Sequence, residues 1–188
     1  MLGYGSLSEG EIRMLASDQL IEAFNQQIGN EMGASMQYIA IASFFDSETL
    51  PQLARFFYRQ SEEEREHAMR FVKFVNDVGG KVKIPALPAP ESAFASAEEA
   101  VSKALSWEEE VTRQIYGLVE LARADKNYVG IRFLDWFVEE QLEEVTTMRD
   151  LLAVIRRAGS DRLLFVEEYL VRQGARGLES PAAPAETT

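Results

Sequence analysis

Four long segments of the chain repeat apolar residues every three or four positions, which is the spacing of one face of an α-helix. They run from about residue 17 or 18 to 45, from 51 to 78, from 97 to 124 and from 128 to 158. Each has about 28 residues, or about 42 Å of helix at ~1.5 Å per residue. Because amphipathic helices of equal length bury their apolar faces by packing side by side, the chain is predicted to fold as a four-helix bundle.

The connections between these segments predict how the helices are ordered. Gly79 and Gly80 end the second helix, and residues 81–95 contain three prolines and little periodicity. This stretch is predicted to be a long crossover that lets the second and third helices run parallel. The other two breaks are short and give antiparallel neighbours. The expected fold is therefore an all-α, four-helix bundle with one long crossover between helices 2 and 3.

Capping residues mark where the first three helices begin. Ser17 or Asp18 can cap the first helix, because both side chains accept hydrogen bonds from free backbone N–H groups. Pro51 suits the first turn of the second helix. Ser96 and Glu99 are spaced as a capping box at the start of the third.

A short fifth, C-terminal helix is predicted after the four long ones. Gly159 ends the fourth helix, and a helical pattern resumes over about residues 161–172. Ser160 can cap this fifth helix, and Gly174 can close it. The predicted domain spans residues 17–173, flanked by a flexible extension at 1–16 and a disordered tail at 174–188.

All four apolar faces carry acidic or amide side chains near the middle of the helix. These are Glu31 in the first helix, Glu64 with His67 in the second, Glu108 in the third, and Gln141 with Glu144 in the fourth. A carboxylate on a buried face is destabilising unless something neutralises it, and no lysine or arginine lies on any of these faces. The carboxylates must therefore take up protons at a raised pKa or bind cations.

Two divalent metal ions would balance the charge of four carboxylates. Glu64 is the best centred of the four and is expected to be shared between the ions. His67, the only histidine of the chain, lies three residues after Glu64 and therefore on the same face of the helix. Oxygen-rich ligation with one imidazole suits iron(II), with manganese and zinc as competitors.

The composition excludes or disfavours several other classes of function. The formal net charge of −12 disfavours binding to nucleic acid or to an anionic membrane. The chain has no cysteine, which excludes thiolate metal sites, iron–sulfur clusters and cysteine nucleophiles. The first residues lack the basic and apolar regions of a signal peptide, and no run approaches the ~18 apolar residues of a membrane span. A cytoplasmic protein is therefore expected.

Taken together, the motifs resemble those of the bacterial non-haem ferritins, which belong to the ferritin-like di-iron superfamily. The matching features, over about residues 17–173, are Glu31 with Tyr38, Glu63-Glu64-x-x-His67, Glu108, and Trp136 followed by Glu140-Gln141-x-x-Glu144. The resemblance implies a hollow shell of 24 identical subunits. It also implies a ferroxidase, which oxidises iron(II) with dioxygen or peroxide and stores the product as a ferric mineral.

The same resemblance assigns ligands to two iron ions within one subunit. Glu31, Glu64 and His67 match the ligands of the first iron ion. Glu64, Glu108 and Glu144 match those of the second, so that Glu64 is shared. A site without a second imidazole is expected to hold its ion weakly, which suits iron that passes through.

Five further residues match positions close to the iron ions. Gln141 lies near the second ion, and Tyr38 matches a tyrosine beside the centre, with a core-filling role as its alternative. Glu63, Glu140 and Glu143 match a third iron site of bacterial members. Because these three flank the apolar faces, a solvated charged surface is the alternative for them.

Some positions depart from related patterns, and one rival function stays open. Arg65 stands where bacterioferritin-like chains carry a haem-ligating methionine, so no haem is expected. Ile131 and Leu134 stand where animal ferritins place the carboxylates of an iron channel, which leaves the route of iron into the shell open. The rival is a di-metal oxygenase or oxidase acting on an organic substrate. That function would need a substrate pocket and normally a second histidine. A purely structural bundle that binds no metal also stays open, and uptake of iron(II) in a fixed ratio by the metal-free protein would exclude it.

Overall fold

Residues 15–177 are described by the computed structural model, and they form five α-helices. The long helices are α1 (Asp18–Ser47), α2 (Pro51–Asp77), α3 (Ala97–Ala124) and α4 (Tyr128–Ala158). They match the four predicted segments to within about two residues. The all-α fold predicted from the sequence is therefore confirmed.

Two apolar clusters in the core show the direction of each helix. One cluster joins the C-terminal parts of α1 and α4 to the N-terminal parts of α2 and α3. The second cluster joins the opposite ends of the same helices. α2 and α3 therefore run parallel, and each is antiparallel to its partner in the hairpins α1–α2 and α3–α4. This is the topology predicted from the long crossover.

The crossover between α2 and α3 is held against α1 by two amide side chains. Asn25 donates to the carbonyl of Lys81 and accepts from the N–H of Lys83, both at 2.9 Å. Gln37 makes the same pair of bonds with the backbone of Glu91, again at 2.9 Å. These bonds satisfy backbone groups that a stretch without secondary structure leaves unpaired. They also fix where α3 begins relative to α1.

Helix starts follow the predicted caps, with one addition from α5 (Leu163–Gly177). The hydroxyl of Ser17 accepts from the N–H of Leu20 at 3.1 Å, and that of Ser96 accepts from Glu99 at 3.1 Å. α2 has no side-chain cap of its own. The buried carboxylate of Glu167, on α5, accepts from the first backbone N–H groups of α2 instead. α5 is thereby docked on one end of the bundle.

The fifth helix differs from its prediction slightly at its start and more clearly at its end. Residues Ser160–Arg162 form a 3₁₀ turn, and α5 begins only at Leu163. Gly159 has a φ of 72° and its carbonyl accepts from the N–H of Arg162, so the tight reversal uses the residues that were expected to start the helix. At the other end α5 passes through Gly174, because a glycine inside a helix costs only about 1 kcal/mol relative to alanine.

Most of the predicted extension and tail lies outside the described residues. Leu15, at the start of the described chain, donates its N–H to the carbonyl of Val78, and its own carbonyl accepts from the side chain of Asn127. Ala16 is buried in the adjoining cluster. The chain is thus already attached to the bundle at residue 15. Across residues 15–177, no helix has a stretch long and apolar enough to cross a membrane.

Candidate metal centre

A polar layer lies between the two apolar clusters, halfway along the four long helices. Its members are the side chains predicted as metal ligands, together with Gln141, and none is more than 5% exposed: Glu31, Glu64, His67, Glu108, Gln141 and Glu144. The residues of the apolar clusters on either side of this layer are buried as well. The carboxylates consequently have apolar side chains above and below them along the bundle.

Helical spacing brings the first predicted set of ligands together. Glu64 and His67 are one turn apart on α2, and the Nδ1 of His67 lies 3.4 Å from an oxygen of Glu64. Glu31 reaches the same point from α1, and one ligand atom from each of the three residues lies within 4.8 Å of the others. His67 also forms a second such group with Glu140 and Glu144 of α4. The imidazole therefore lies between two clusters of carboxylates.

Neutral hydrogen-bond donors hold three of the four carboxylates by a single oxygen. Nε2 of Gln27 donates to Oε1 of Glu31 at 3.0 Å, one turn along α1. The hydroxyl of Tyr38 donates to Oε1 of Glu108. Nε2 of Gln60 donates to Oε1 of Glu144 at 3.3 Å. Each bond orients a carboxylate and leaves its second oxygen available.

The buried atoms without a hydrogen-bond partner identify what faces the middle of this layer. They are Oε2 of Glu31, both oxygens of Glu64, Nδ1 of His67, Oε2 of Glu108 and Nε2 of Gln141. All but the last are atoms that ligate metal ions. Glu64 alone among the carboxylates has both oxygens free, as the residue predicted to be shared between two ions requires.

Burial sets the protonation of this layer when no cation is present. It raises the pKa of Glu31, and it raises the pKa of Glu64 and Glu144 well above the ordinary value, with neighbouring carboxylates adding to the rise for these two. The pKa of Glu108 is raised to about 7, again mainly by burial. Burial and the nearby Arg70 lower the pKa of His67 to about 4, so the imidazole is neutral and its lone pair is available to a metal.

Tyr38 contacts the centre directly, in addition to filling the core. Its ring is fully buried and packs 5.7 Å from that of Phe57, while its hydroxyl donates to Glu108. Burial, reinforced by the nearby carboxylates, raises the pKa of the phenol well above its ordinary value. Tyr38 is therefore a protonated donor to one of the candidate ligands.

The residues of the predicted third iron site lie beside the buried layer. Glu63 and Glu140 are half-buried, whereas Glu143 is exposed. Burial raises the pKa of both Glu63 and Glu140, and the charge of Glu143 raises it further. Nε2 of Gln60 donates to Glu63 as well as to Glu144, so one amide touches a member of each carboxylate group. The three carboxylates are therefore neighbours, on the side of the layer that faces solvent.

Aromatic packing surrounds the imidazole and shields one side of it. The ring centroids of Trp136 and His67 lie 5.4 Å apart, and the guanidinium carbon of Arg70 lies over the Trp136 ring, 4.0 Å from its centroid. Trp107 packs against both apolar clusters.

Leu134, one of the two positions compared with the carboxylates of an iron channel, is fully buried and faces the bundle interior.

Comparisons with known proteins agree with this geometry. The sequence profile of the ferritin-like domain matches residues 21–158. The chain is 42% identical over 158 residues to "Ferritin BfrB" of Mycolicibacterium smegmatis, covering 84% of this chain and 87% of that protein. It is 39% identical over 147 residues to "Bacterial non-heme ferritin" of Staphylococcus aureus, covering 78% and 89%. An open-pore ferritin from Archaeoglobus fulgidus superposes with a TM-score of 0.81 at 35% identity, covering 84% of this chain and 97% of that one.

Proposed function

The chain belongs to the ferritin family, and from this premise we propose that it oxidises iron(II) at the buried polar layer and stores the product as a ferric mineral. The observation that carries the proposal is the set of unpartnered atoms at the centre of the bundle. Buried carboxylate oxygens without donors are destabilising, and cations of high charge are the partners that they lack.

Two iron ions are assigned to this layer in each subunit. Glu31, Glu64 and His67 bind the first ion, and the closeness of their ligand atoms supports that assignment. Glu64, Glu108 and Glu144 bind the second ion, with Gln141 beside it. The free second oxygens of Glu64 and Glu108 support this part of the assignment.

The ligands favour oxidation because hard, anionic oxygen donors stabilise iron(III) more than iron(II). Two iron(II) ions lose one electron each, and the pair reduces dioxygen to hydrogen peroxide or hydrogen peroxide to water. The carboxylates release their protons when the ions bind, since metal ligation requires the ionised form. Iron is a substrate in this scheme, and a set with a single imidazole suits an ion that moves on after oxidation.

Ferric product leaves toward Glu63, Glu140 and Glu143, which form the proposed third iron site. Burial raises the pKa of Glu63 and of Glu140, and the charge of Glu143 adds to both rises, which supports this assignment because it places the three carboxylates near one another. Gln60 touches both Glu63 and Glu144 and lies between the two groups. A solvated charged surface would explain the exposure of Glu143 but not the burial of the other two.

We further propose that copies of the chain assemble into a shell of 24 subunits in the cytoplasm. Large apolar side chains remain exposed in the isolated chain, and subunit contacts would cover them. On α5 these are Leu164, Phe165 and Val171, and on α1 they are Met36 and Ile39. The family supports the same arrangement, since the neighbouring structures are ferritins.

The double variant Glu64→Ala with His67→Ala tests the assigned centre. It removes the shared carboxylate and the imidazole, so we expect the shell to assemble normally while rapid iron(II) oxidation in air is lost. Oxidation is followed by the absorbance of ferric species after mixing, and assembly by native mass. Glu62→Ala with Glu66→Ala, at exposed positions on the same helix, is the matched control. Oxidation at an unchanged rate in the first variant would contradict the assignment.

A further inference from the structure

Thr112 contacts two oxygens at the edge of the centre. It lies on α3 one turn after Glu108, and its Oγ1 is 2.8 Å from the Glu108 carbonyl oxygen and 2.9 Å from Oε1 of Gln141 on α4. The hydroxyl has a single proton, and the carbonyl can only accept it. When the hydroxyl donates its hydrogen bond to the carbonyl, Oγ1 can only accept from the amide of Gln141. It then pairs with the Nε2 end of that amide. Thr112 is therefore compatible with either orientation of this amide.

The two orientations present opposite ends of Gln141 to the centre. With Oε1 on Thr112, Nε2 is buried, has no hydrogen-bond partner and faces the polar layer. The amide lies near enough to Glu108 to oppose, in part, the rise of that residue's pKa. An N–H group toward carboxylates is favourable when no cation is present. A carbonyl oxygen toward the centre is favourable once cations occupy it.

We propose that Thr112 is a positioning residue that lets the Gln141 amide turn when metal ions bind. In the empty centre the Thr112 hydroxyl donates to Oε1, and Nε2 faces the carboxylates. In the filled centre Oγ1 of Thr112 accepts a hydrogen bond from Nε2 of Gln141, while the same hydroxyl donates to the carbonyl of Glu108. Oε1 of Gln141 then faces the second ion. This inference rests on the proposed function, because it requires that ions bind beside Gln141.

Only a hydroxyl at residue 112 can serve both states, since it both donates and accepts. Valine has nearly the same shape as threonine but would leave the amide without this partner in either orientation, so that nothing at residue 112 would orient it. Serine retains the hydroxyl. Loss of a residue that orients a metal ligand typically weakens metal affinity by about 10-fold to 100-fold. Thr112→Val is therefore expected to weaken the affinity for the second ion by about that factor. In Thr112→Ser the affinity should stay within about threefold of that of the unaltered protein.

The test is a titration of the assembled protein with cobalt(II) in the absence of air, followed by visible absorbance and by calorimetry. The unaltered protein should bind two ions per subunit, and Thr112→Val should bind one with unchanged affinity and the other more weakly. The absorbance of the weakened ion should change, because its ligands differ. Native mass and circular dichroism check assembly, and Thr112→Ala, which also lacks the hydroxyl, replaces Thr112→Val if the latter fails to assemble.

The outcomes separate this inference from the function on which it rests. Two ions bound with unaltered affinities in Thr112→Val would overturn the role of Thr112 and leave the two-ion centre intact. A Thr112→Ser protein as impaired as Thr112→Val would also overturn it, because the hydroxyl would then not be the operative group. Failure of the unaltered protein to bind cobalt(II) at this layer would overturn both proposals.

Discussion

At the scale of single residues, the centre is defined by which atoms already have partners. Gln27, Tyr38 and Gln60 each donate to one oxygen of a carboxylate, and the opposite oxygens stay free or turn toward the centre. Neutral donors hold the carboxylates without cancelling their charge. The negative charge is therefore retained for a cation and is not used up in ion pairs within the protein.

The raised pKa of Glu108 predicts an unusual pH dependence for the metal-free protein. Its ordinary value of 4.5 becomes about 7 in the fold, so the folded chain holds a proton that the unfolded chain has lost. The stability linked to this proton is fully present below about pH 4.5 and is lost as the pH rises through about 7. The contribution of this group to the stability of the metal-free protein should thus fall by up to about 3 kcal/mol between about pH 4.5 and pH 7, and by only about a few tenths of a kcal/mol between pH 7 and pH 8.

His67 acts in the opposite direction over about pH 4 to 6.5, because its pKa is lowered from 6.5 to about 4 and the fold favours its neutral form. The measurement is the thermal midpoint of the chelator-treated protein across this range. The contribution of Glu108 is the difference between the unaltered protein and Glu108→Gln, and it should shrink as the pH rises to about 7, whereas Glu109→Gln, at the exposed neighbouring position, should behave like the unaltered protein. A difference between the unaltered protein and Glu108→Gln that stays constant from about pH 5 to pH 7 would argue against a buried protonated carboxylate.

The candidate ligands could be predicted from the sequence because an acidic residue on an apolar face is conspicuous. The residues that orient them could not. Gln27 and Thr112 lie four residues from Glu31 and Glu108, and so on the same side of the helix, but neutral polar residues are common at such positions. Gln60 contacts Glu63 on its own helix, but its contact with Glu144 depends on how α2 and α4 pack.

At the scale of helices, α5 contributes the group that α2 lacks at its start. The carboxylate of Glu167 lies 2.8 Å from the N–H of Gln52 and 2.9 Å from that of Leu53. A negative charge at a helix N-terminus is favourable, because free N–H groups and the helix dipole both face it. The contact therefore stabilises the start of α2 and holds α5 in place at the same time.

Glu167→Ala should loosen α5 without unfolding the four long helices. The loss of an N-terminal cap costs about 1 kcal/mol, and it falls on the contact between α5 and α2. Hydrogen exchange followed by mass spectrometry should show faster exchange in peptides from α5 and from the first turn of α2. Glu168→Ala, at an exposed neighbouring position, is the control. Equal exchange in the two variants would mean that Glu167 does not hold the helix.

The long helices were predictable because each begins or ends at a residue with a local role, such as Ser17, Ser96 or Gly159. α5 was predicted less well, since its start depends on the 3₁₀ turn that follows Gly159. Its docking depends on Glu167, which meets α2 only in the folded protein. Helix ends that are set by nearby capping residues are therefore predicted better than helix ends that are set by contacts with another helix.

At the scale of the whole molecule, two apolar clusters enclose one layer of charge. The clusters provide the burial that holds the four helices together, and the layer between them weakens the metal-free fold. Bound cations would remove this weakness, which couples metal binding to stability. The order of the helices followed from the lengths of their connections. Assembly with other copies would depend on exposed surfaces, and the spacing of apolar residues along the helices does not predict which of these surfaces meet.

The central claim is that divalent ions bind between the buried carboxylates. Crystals soaked in iron(II) without air, and measured on both sides of the iron absorption edge, test it most directly. We expect two anomalous peaks per subunit, one contacted by Glu31, Glu64 and His67 and the other by Glu64, Glu108 and Glu144. Carboxylates turned toward bulk water, with no anomalous peak between the four helices, would contradict it.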